Sequence, residues 1–174
     1  MFLFYRWLTY SNNAISTRPS TIPRTLLNQM TATKEAHAIT NARAQLETIK
    51  ELYRQYKEND SAFVSNLDTE EAIVEKAREE ALSVEFRSGW TSNPEEMEPE
   101  EFKILLSTGG PACQIVGKID YGSCEPIDIE IQYQDWGTPW EPLQLNSTYA
   151  DESPNITSDY EALEWFCNCF YFGE

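Results

Sequence analysis

The chain has 174 residues, 13 Lys+Arg against 29 Asp+Glu and one His, a formal charge of −16, with 41% hydrophobic and 13% aromatic residues. Length and apolar content suit one packed domain and exclude global disorder. The acidic balance argues against direct binding to nucleic acid or an anionic membrane, both of which need Lys and Arg; no run of 18 apolar residues predicts a membrane span.

The charge is unevenly spread. Residues 1–30 hold Arg6, Arg18 and Arg24 and no acid, which leaves 10 basic and 29 acidic residues, a net −19, in 31–174. The division reads as a basic, acid-free extension (1–30) and a single acidic domain (31–174). Three readings of the extension stay open: an upstream start or tag with Met30 opening the domain, a targeting segment, or a docked arm.

Within the domain, Ile39, Ala42, Leu46, Ile49, Tyr53 and Tyr56 recur at spacings of 3 and 4, predicting an amphipathic helix of about 25 residues. Asp60-Ser61 and Asn66 mark a loop. Asp68 then reads as the N-cap of a second helix running to about Ala81, with Ile73, Val74, Ala77 and Ala81 inward. From Leu82 the period changes to two. Leu82, Val84 and Phe86 alternate with polar residues; so do Phe102, Ile104 and Leu106; Ile115 and Ile119 flank Gly117; and Ile127, Ile129, Ile131 and Tyr133 alternate with Asp128, Glu130, Gln132 and Gln134. Such alternation predicts an antiparallel sheet with one face on a core and one in water, with Asp120-Tyr121-Gly122-Ser123 as a hairpin turn. Pro139, Pro142 and Pro154 oppose regular pairing in 135–158. Ser158 and Glu161 suggest a capping box for a last helix that turns Leu163, Phe166, Cys169 and Phe170 inward. The expected fold is α+β: two helices, a four-stranded antiparallel meander packed by one face on helices, and a C-terminal helix.

Catalytic motifs are sparse. A Ser-His-Asp or Cys-His arrangement has only His37 to use, and His37 lies off the apolar stripe, as a surface residue does. Ser107-Thr108-Gly109-Gly110-Pro111 resembles a phosphate loop, yet a strand rather than a helix follows it. Cys113, Cys124, Cys167 and Cys169 lack zinc or redox spacing and read as free, partly buried thiols of a reducing cytoplasm. No metal or cofactor is expected.

The acidic clusters carry more. Glu71, Glu75 and Glu79 stand at i, i+4 and i+8 on one predicted helix face, and Glu95, Glu96, Glu98, Glu100 and Glu101 crowd one predicted loop. Carboxylates about 6 Å apart along a helix match about every second phosphate of a DNA strand, which advances roughly 3.4 Å per phosphate. Trp136 and Trp140, on a Pro-pinned loop, suit either interface anchors or lids over the core. A second grouping, Glu85, Asp128 and Glu130 on the open sheet face with Asp135 beside Trp136, would line a small-molecule pocket; Asp135 equally suits a turn.

Taken together, four segments carry a resemblance: Leu82-Ser83-Val84-Glu85-Phe86-Arg87-Ser88-Gly89-Trp90, Leu105 to Ala112, Tyr133 to Trp140, and Phe170-Tyr171-Phe172-Gly173-Glu174. They resemble an uncharacterised family of small acidic proteins from proteobacteria, their phages and mobile elements. The resemblance spans about 35–174. It implies a cytoplasmic bacterial or phage setting and transfers no catalytic residue. The leading expectation is therefore a non-enzymatic acidic binding protein. It would be a phage- or mobile-element-borne inhibitor that imitates nucleic-acid charge and blocks the basic groove of a host defence enzyme. The alternatives are a small-molecule binder or enzyme between the sheet face and the Trp136–Trp140 loop, and an oligomeric assembly module built on the first helix.

Overall fold

The computed structural model describes residues 24–60, 67–93, 95, 97–146 and 158–172, with side chains of the first helix described from residue 36. Three helices and one five-stranded antiparallel sheet make an α+β fold: α1 (Arg24–Asp60), α2 (Leu67–Glu79), β1 (Ser83–Ser88), β2 (Pro99–Ser107), β3 (Ala112–Ile119), β4 (Pro126–Gln134), β5 (Glu141–Pro142) and α3 (Asp159–Asn168). The strands follow one another across the sheet in chain order, a meander.

The stripe read from the spacing is the buried side of α1. Ala42, Leu46 and Ile49 are inaccessible, Ala38 extends the stripe upstream, and Ile39 and Tyr53 are partly buried. The helix is longer than the 25 residues expected, 37 in all, and its backbone is continuous through residue 30, where the composition changes. Its outer face is tied to itself by Lys50–Glu47, Arg54–Glu51 and Arg54–Glu58 pairs.

α1 and α3 cover one face of the sheet, packing on each other and on β4, while α2 packs against α1. The core between them holds Ile104, Cys113, Ile115, Ile131, Leu163 and Phe166. At the far end of α1 the rings of Tyr53 and Tyr56 lie 5.5 and 5.4 Å from that of Trp165. Asp159 supplies a polar joint: its side chain is 3% exposed and meets Lys50 of α1 at 2.9 Å, and it accepts the Asn146 N–H at 2.8 Å.

Several expectations need correction. The sheet has five strands, because Glu141–Pro142 pairs with Gln132 and Tyr133. Pro142 is tolerated because β5 is an edge strand, where an absent N–H on the outer side breaks no ladder bond. α2 begins at Leu67, one residue before the expected N-cap position, and ends at Glu79. Ser158 precedes α3 but makes no side-chain cap bond; the polar anchor at that helix start is Asp159, turned inward. Ile127 is exposed because a bulge interrupts β4: Val116 pairs with Glu130 and Lys118 with Ile127. The extra residue shifts the inward-outward phase. Asp128 sits there at φ 52°, a left-handed conformation that Asp adopts more readily than most residues. In β1, Val84 is half-buried while Phe86, and Leu82 just before the strand, are exposed, as suits the outer strand. The Asp120–Ser123 hairpin forms as expected: Asp120 Oδ2 accepts the N–H groups of Gly122 and Ser123 and the Ser123 hydroxyl. Those bonds hold its carboxyl below the usual carboxylate range.

Candidate functional site

The open face of the sheet is an alternating array of charge. Pairing sets Glu85 opposite Lys103, and Arg87 opposite Glu101; Glu101 in turn faces Lys118. The side chains use this register. Glu85 meets Lys103 at 2.8 Å, Arg87 pairs with Glu101, and Lys118 meets Asp128 at 2.8 Å across the bulge. One row therefore reads Arg87, Glu101, Lys118, Asp128 across four strands, with signs alternating at each step. The next reads Glu85, Lys103, Val116, Glu130. Hydrogen bonding to Lys103 lowers the Glu85 carboxyl, and hydrogen bonding to Asp128 raises the Lys118 amine. A depression of about 640 Å³ on this face is lined by Glu85, Arg87, Glu101, Lys103, Lys118 and Asp128 among others.

The expected small-molecule grouping is thus only partly assembled. Glu85 and Asp128 share the depression, but each is matched with a lysine. Glu130 accepts a hydrogen bond from Gln132. Asp135 is buried, its Oδ1 receiving the Trp136 N–H at 2.6 Å and its carbonyl the Thr138 N–H at 3.0 Å. It shapes the turn and does not line the depression.

Trp136 is exposed and Trp140 half-buried. The indole of Trp136 lies against Gly110, where a Cβ would overlap the ring. Gly110 is required for that close approach, which joins the β2–β3 and β4–β5 connections at one end of the sheet.

The outer face of α2 differs. Ile73 and Ala77 are buried against the body, and Glu71, Glu75 and Glu79 are all exposed. Arg78 touches Glu75 at 3.4 Å, but its Nε donates to the Cys169 carbonyl at 2.7 Å, which draws it toward the body. Among the described residues Glu71 and Glu79 have no cation partner.

The second acidic cluster is divided between a loop and a strand. Glu95 and Glu98 are exposed in the loop, Glu96 lies outside the described residues, and Glu100 and Glu101 belong to β2. Strand alternation separates those two, and Glu101 joins the ion-paired sheet face. Sequence reasoning missed what surrounds this segment. Phe86, Met97, Tyr121 and Tyr171 are exposed around a hollow of about 590 Å³ with Glu98 and Asp120. Trp90, fully exposed, adjoins Met97 and Glu100 in a second hollow. Five exposed apolar side chains beside carboxylates were visible in the sequence only as separate residues, because strand β1, the β1–β2 and β3–β4 connections and the segment after α3 bring them together.

His37 is exposed on α1. Cys113, Cys167 and Cys169 are buried free thiols, and Cys124 is exposed. Burial pushes Cys113 and Cys169 up to about 12 and raises Cys167 as well, so these three are poor nucleophiles. Among the described residues no His/Cys/Asp/Glu group is placed to hold a metal ion, and no helix is long and apolar enough to cross a membrane. Comparison of the chain with protein-family models, with curated proteins and with solved structures gave no match.

Proposed function

We propose that this protein is a non-enzymatic acidic binding protein whose α2 carboxylates engage the basic groove of a nucleic-acid-binding host enzyme. On this reading it is a phage- or mobile-element-borne inhibitor acting in a bacterial cytoplasm, the setting implied by the family resemblance. The observation that carries it is the ladder of Glu71, Glu75 and Glu79. It is exposed along its length and stepped about 6 Å apart by helix geometry, and among the described residues its one ion pair is Glu75 with Arg78, with Lys76 the other cation of that helix. Like charges at i, i+4 oppose helix formation slightly, so this spacing gives the isolated protein no benefit. A basic groove would relieve the repulsion. Glu98 and Glu100 flank the exposed Trp90 and Met97, which adds apolar anchors of the kind that dominate binding energy. Trp136 at the opposite end of the sheet is a further candidate anchor.

The test is affinity capture from a bacterial lysate treated with nuclease, comparing the parent with Glu71→Lys/Glu75→Lys/Glu79→Lys. The reading expects the parent to retain a basic nucleic-acid-binding protein and the variant to lose it. Equal capture by both contradicts the reading.

A second reading has one observation in its favour, the 640 Å³ depression on the sheet face. Its alternating charges suit a zwitterionic small molecule rather than acid–base catalysis, since its carboxylates are paired with cations.

A further inference from the structure

The strand order leaves β1 at one edge of the sheet, with nothing among the described residues paired to its outer side. An exposed edge strand is a template for another strand; Ser83–Ser88 contains no proline and no lysine, and its one register shift lies at the Arg87/Ser88 end, beyond Phe86. The register across the sheet shows which way its backbone points. At the opposite edge Leu143 donates its N–H to the Ile131 carbonyl at 2.9 Å. Carried through the pairs Ile131–Ile115, Ile115–Ile104 and Ile104–Val84, antiparallel alternation leaves Ser83, Glu85 and Arg87 bonded to β2 and turns the N–H and C=O groups of Val84 and Phe86 outward, away from the sheet.

We propose that this edge pairs with the same edge of a second copy of the chain, antiparallel, about a two-fold axis at Phe86. Symmetry and sheet faces restrict the choice of register. A two-fold axis perpendicular to the sheet keeps each face on its own side, so only residues on the same face can lie opposite one another. Centring on Glu85 sets Glu85 against Glu85; centring on Arg87 sets Arg87 against Arg87. Both place like charges at cross-strand distance, which is destabilising. Centring on Phe86 sets Glu85 of each copy against Arg87 of the other and the two Phe86 rings against each other. In that register the outward N–H and C=O groups of the two Phe86 residues exchange hydrogen bonds. Phe86, 49% exposed and already edge-on to the Phe172 ring at 6.0 Å, gains a second partner ring.

The charge array supplies the complementarity that selects this occupant. Within one copy the row runs Asp128, Lys118, Glu101, Arg87, alternating in sign. Across the axis the next residue is Glu85 of the second copy, followed by its Lys103, so the alternation continues unbroken through the joint. A peptide of arbitrary sequence would not continue the pattern; the chain's own β1 does. The two bodies are each net −16, but over distances beyond roughly 8 Å that repulsion is screened at physiological salt, whereas directly apposed pairs are not.

The experiment is sedimentation equilibrium of the full chain at 0.15 M NaCl (about 8 Å screening), with two single variants measured alone and mixed. The parent should be a dimer. Glu85→Arg places two arginines face to face at both symmetric positions, and Arg87→Glu places two glutamates there, so each alone should dimerise at least tenfold more weakly. An equimolar mixture should recover dimer, because in the heterodimer each position 85 again faces a position 87 of opposite charge. Both substitutions are at exposed positions, and circular dichroism checks that each variant is folded. A monomeric parent, dimeric single variants, or a mixture that stays monomeric would each overturn the proposal. The proposal does not depend on the α2 reading: Glu71→Lys/Glu75→Lys/Glu79→Lys should leave the dimer unchanged.

Discussion

The open sheet face and the outer face of α2 are both crowded with carboxylates, but only one of them is acidic in effect. On the sheet each strand meets neighbours from distant parts of the chain, and the register sets Glu85, Glu101 and Asp128 beside Lys103, Arg87 and Lys118. On α2 the neighbours of a glutamate are fixed by its own helix, and Glu71, Glu75 and Glu79 fall one above another. The net charge of the chain thus does not show where its field is. It is nearly cancelled on the open sheet face and left standing on a helix. The C-terminal part sharpens the asymmetry further, because no Lys or Arg follows Lys118 while twelve acidic residues do.

The largest effect tests which side of the sheet is open. Ile129→Ala should cost about 2–5 kcal/mol by urea unfolding, whereas Glu130→Gln should cost close to nothing. Comparable losses would mean that the open face has been misassigned.

A buried ion pair calibrates the exposed ones. Lys50→Met leaves the Asp159 carboxylate buried without its cation, and should destabilise by about 3 kcal/mol, at the lower end for such a change because the Asn146 N–H still reaches it. Burial alone would lower the Lys50 amine, but its hydrogen bonds to Asp159 and Glu47 outweigh that and raise it above 10.5. A raised folded-state value means that the contribution is full below pH 10.5 and is lost as pH climbs through the higher folded value. The parent should therefore lose its advantage over Lys50→Met as pH climbs through that alkaline range.

Smaller still, Glu71→Lys/Glu75→Lys/Glu79→Lys should leave the melting temperature nearly unchanged, since Lys and Glu are similar helix formers and Ile73 and Ala77 are untouched. The smallest effect belongs to Glu85→Gln on the sheet face. The Lys103 hydrogen bond lowers the Glu85 carboxyl below 4.5, so its contribution is present above pH 4.5 and fades as pH falls through the lowered value. Parent and variant should converge in acid and differ slightly at neutral pH.

The sequence made local periodicity legible. The stripe of α1, the inward faces of β2 and β4 and the inward residues of α3 follow from spacings of three, four and two, and the structure buries them accordingly. What was hidden depended on pairing. The bulge that exposes Ile127 requires knowing that Val116 faces Glu130 while Lys118 faces Ile127. The fifth strand requires knowing that Pro142 lies at an edge. The inward turn of Asp159 was hidden because the sequence does not show Lys50 arriving from α1. Among the candidate residues, the exposure of Glu71, Glu75 and Glu79 was legible from helix phase; the neutralisation of Glu85, Glu101 and Asp128 by cations was not. Nor was the gathering of Phe86, Trp90, Met97, Tyr121 and Tyr171 around adjoining hollows.

The central claim is that the uncompensated charge of α2, and not the cancelled charge of the sheet face, attracts a partner. Its most direct measurement is the affinity of the captured partner for the parent and for Glu71→Lys/Glu75→Lys/Glu79→Lys across a salt series. The account predicts at least a tenfold loss on reversal at low salt, about 1.4 kcal/mol, with the gap closing as salt rises. Equal affinities for the two proteins at every salt concentration would contradict it.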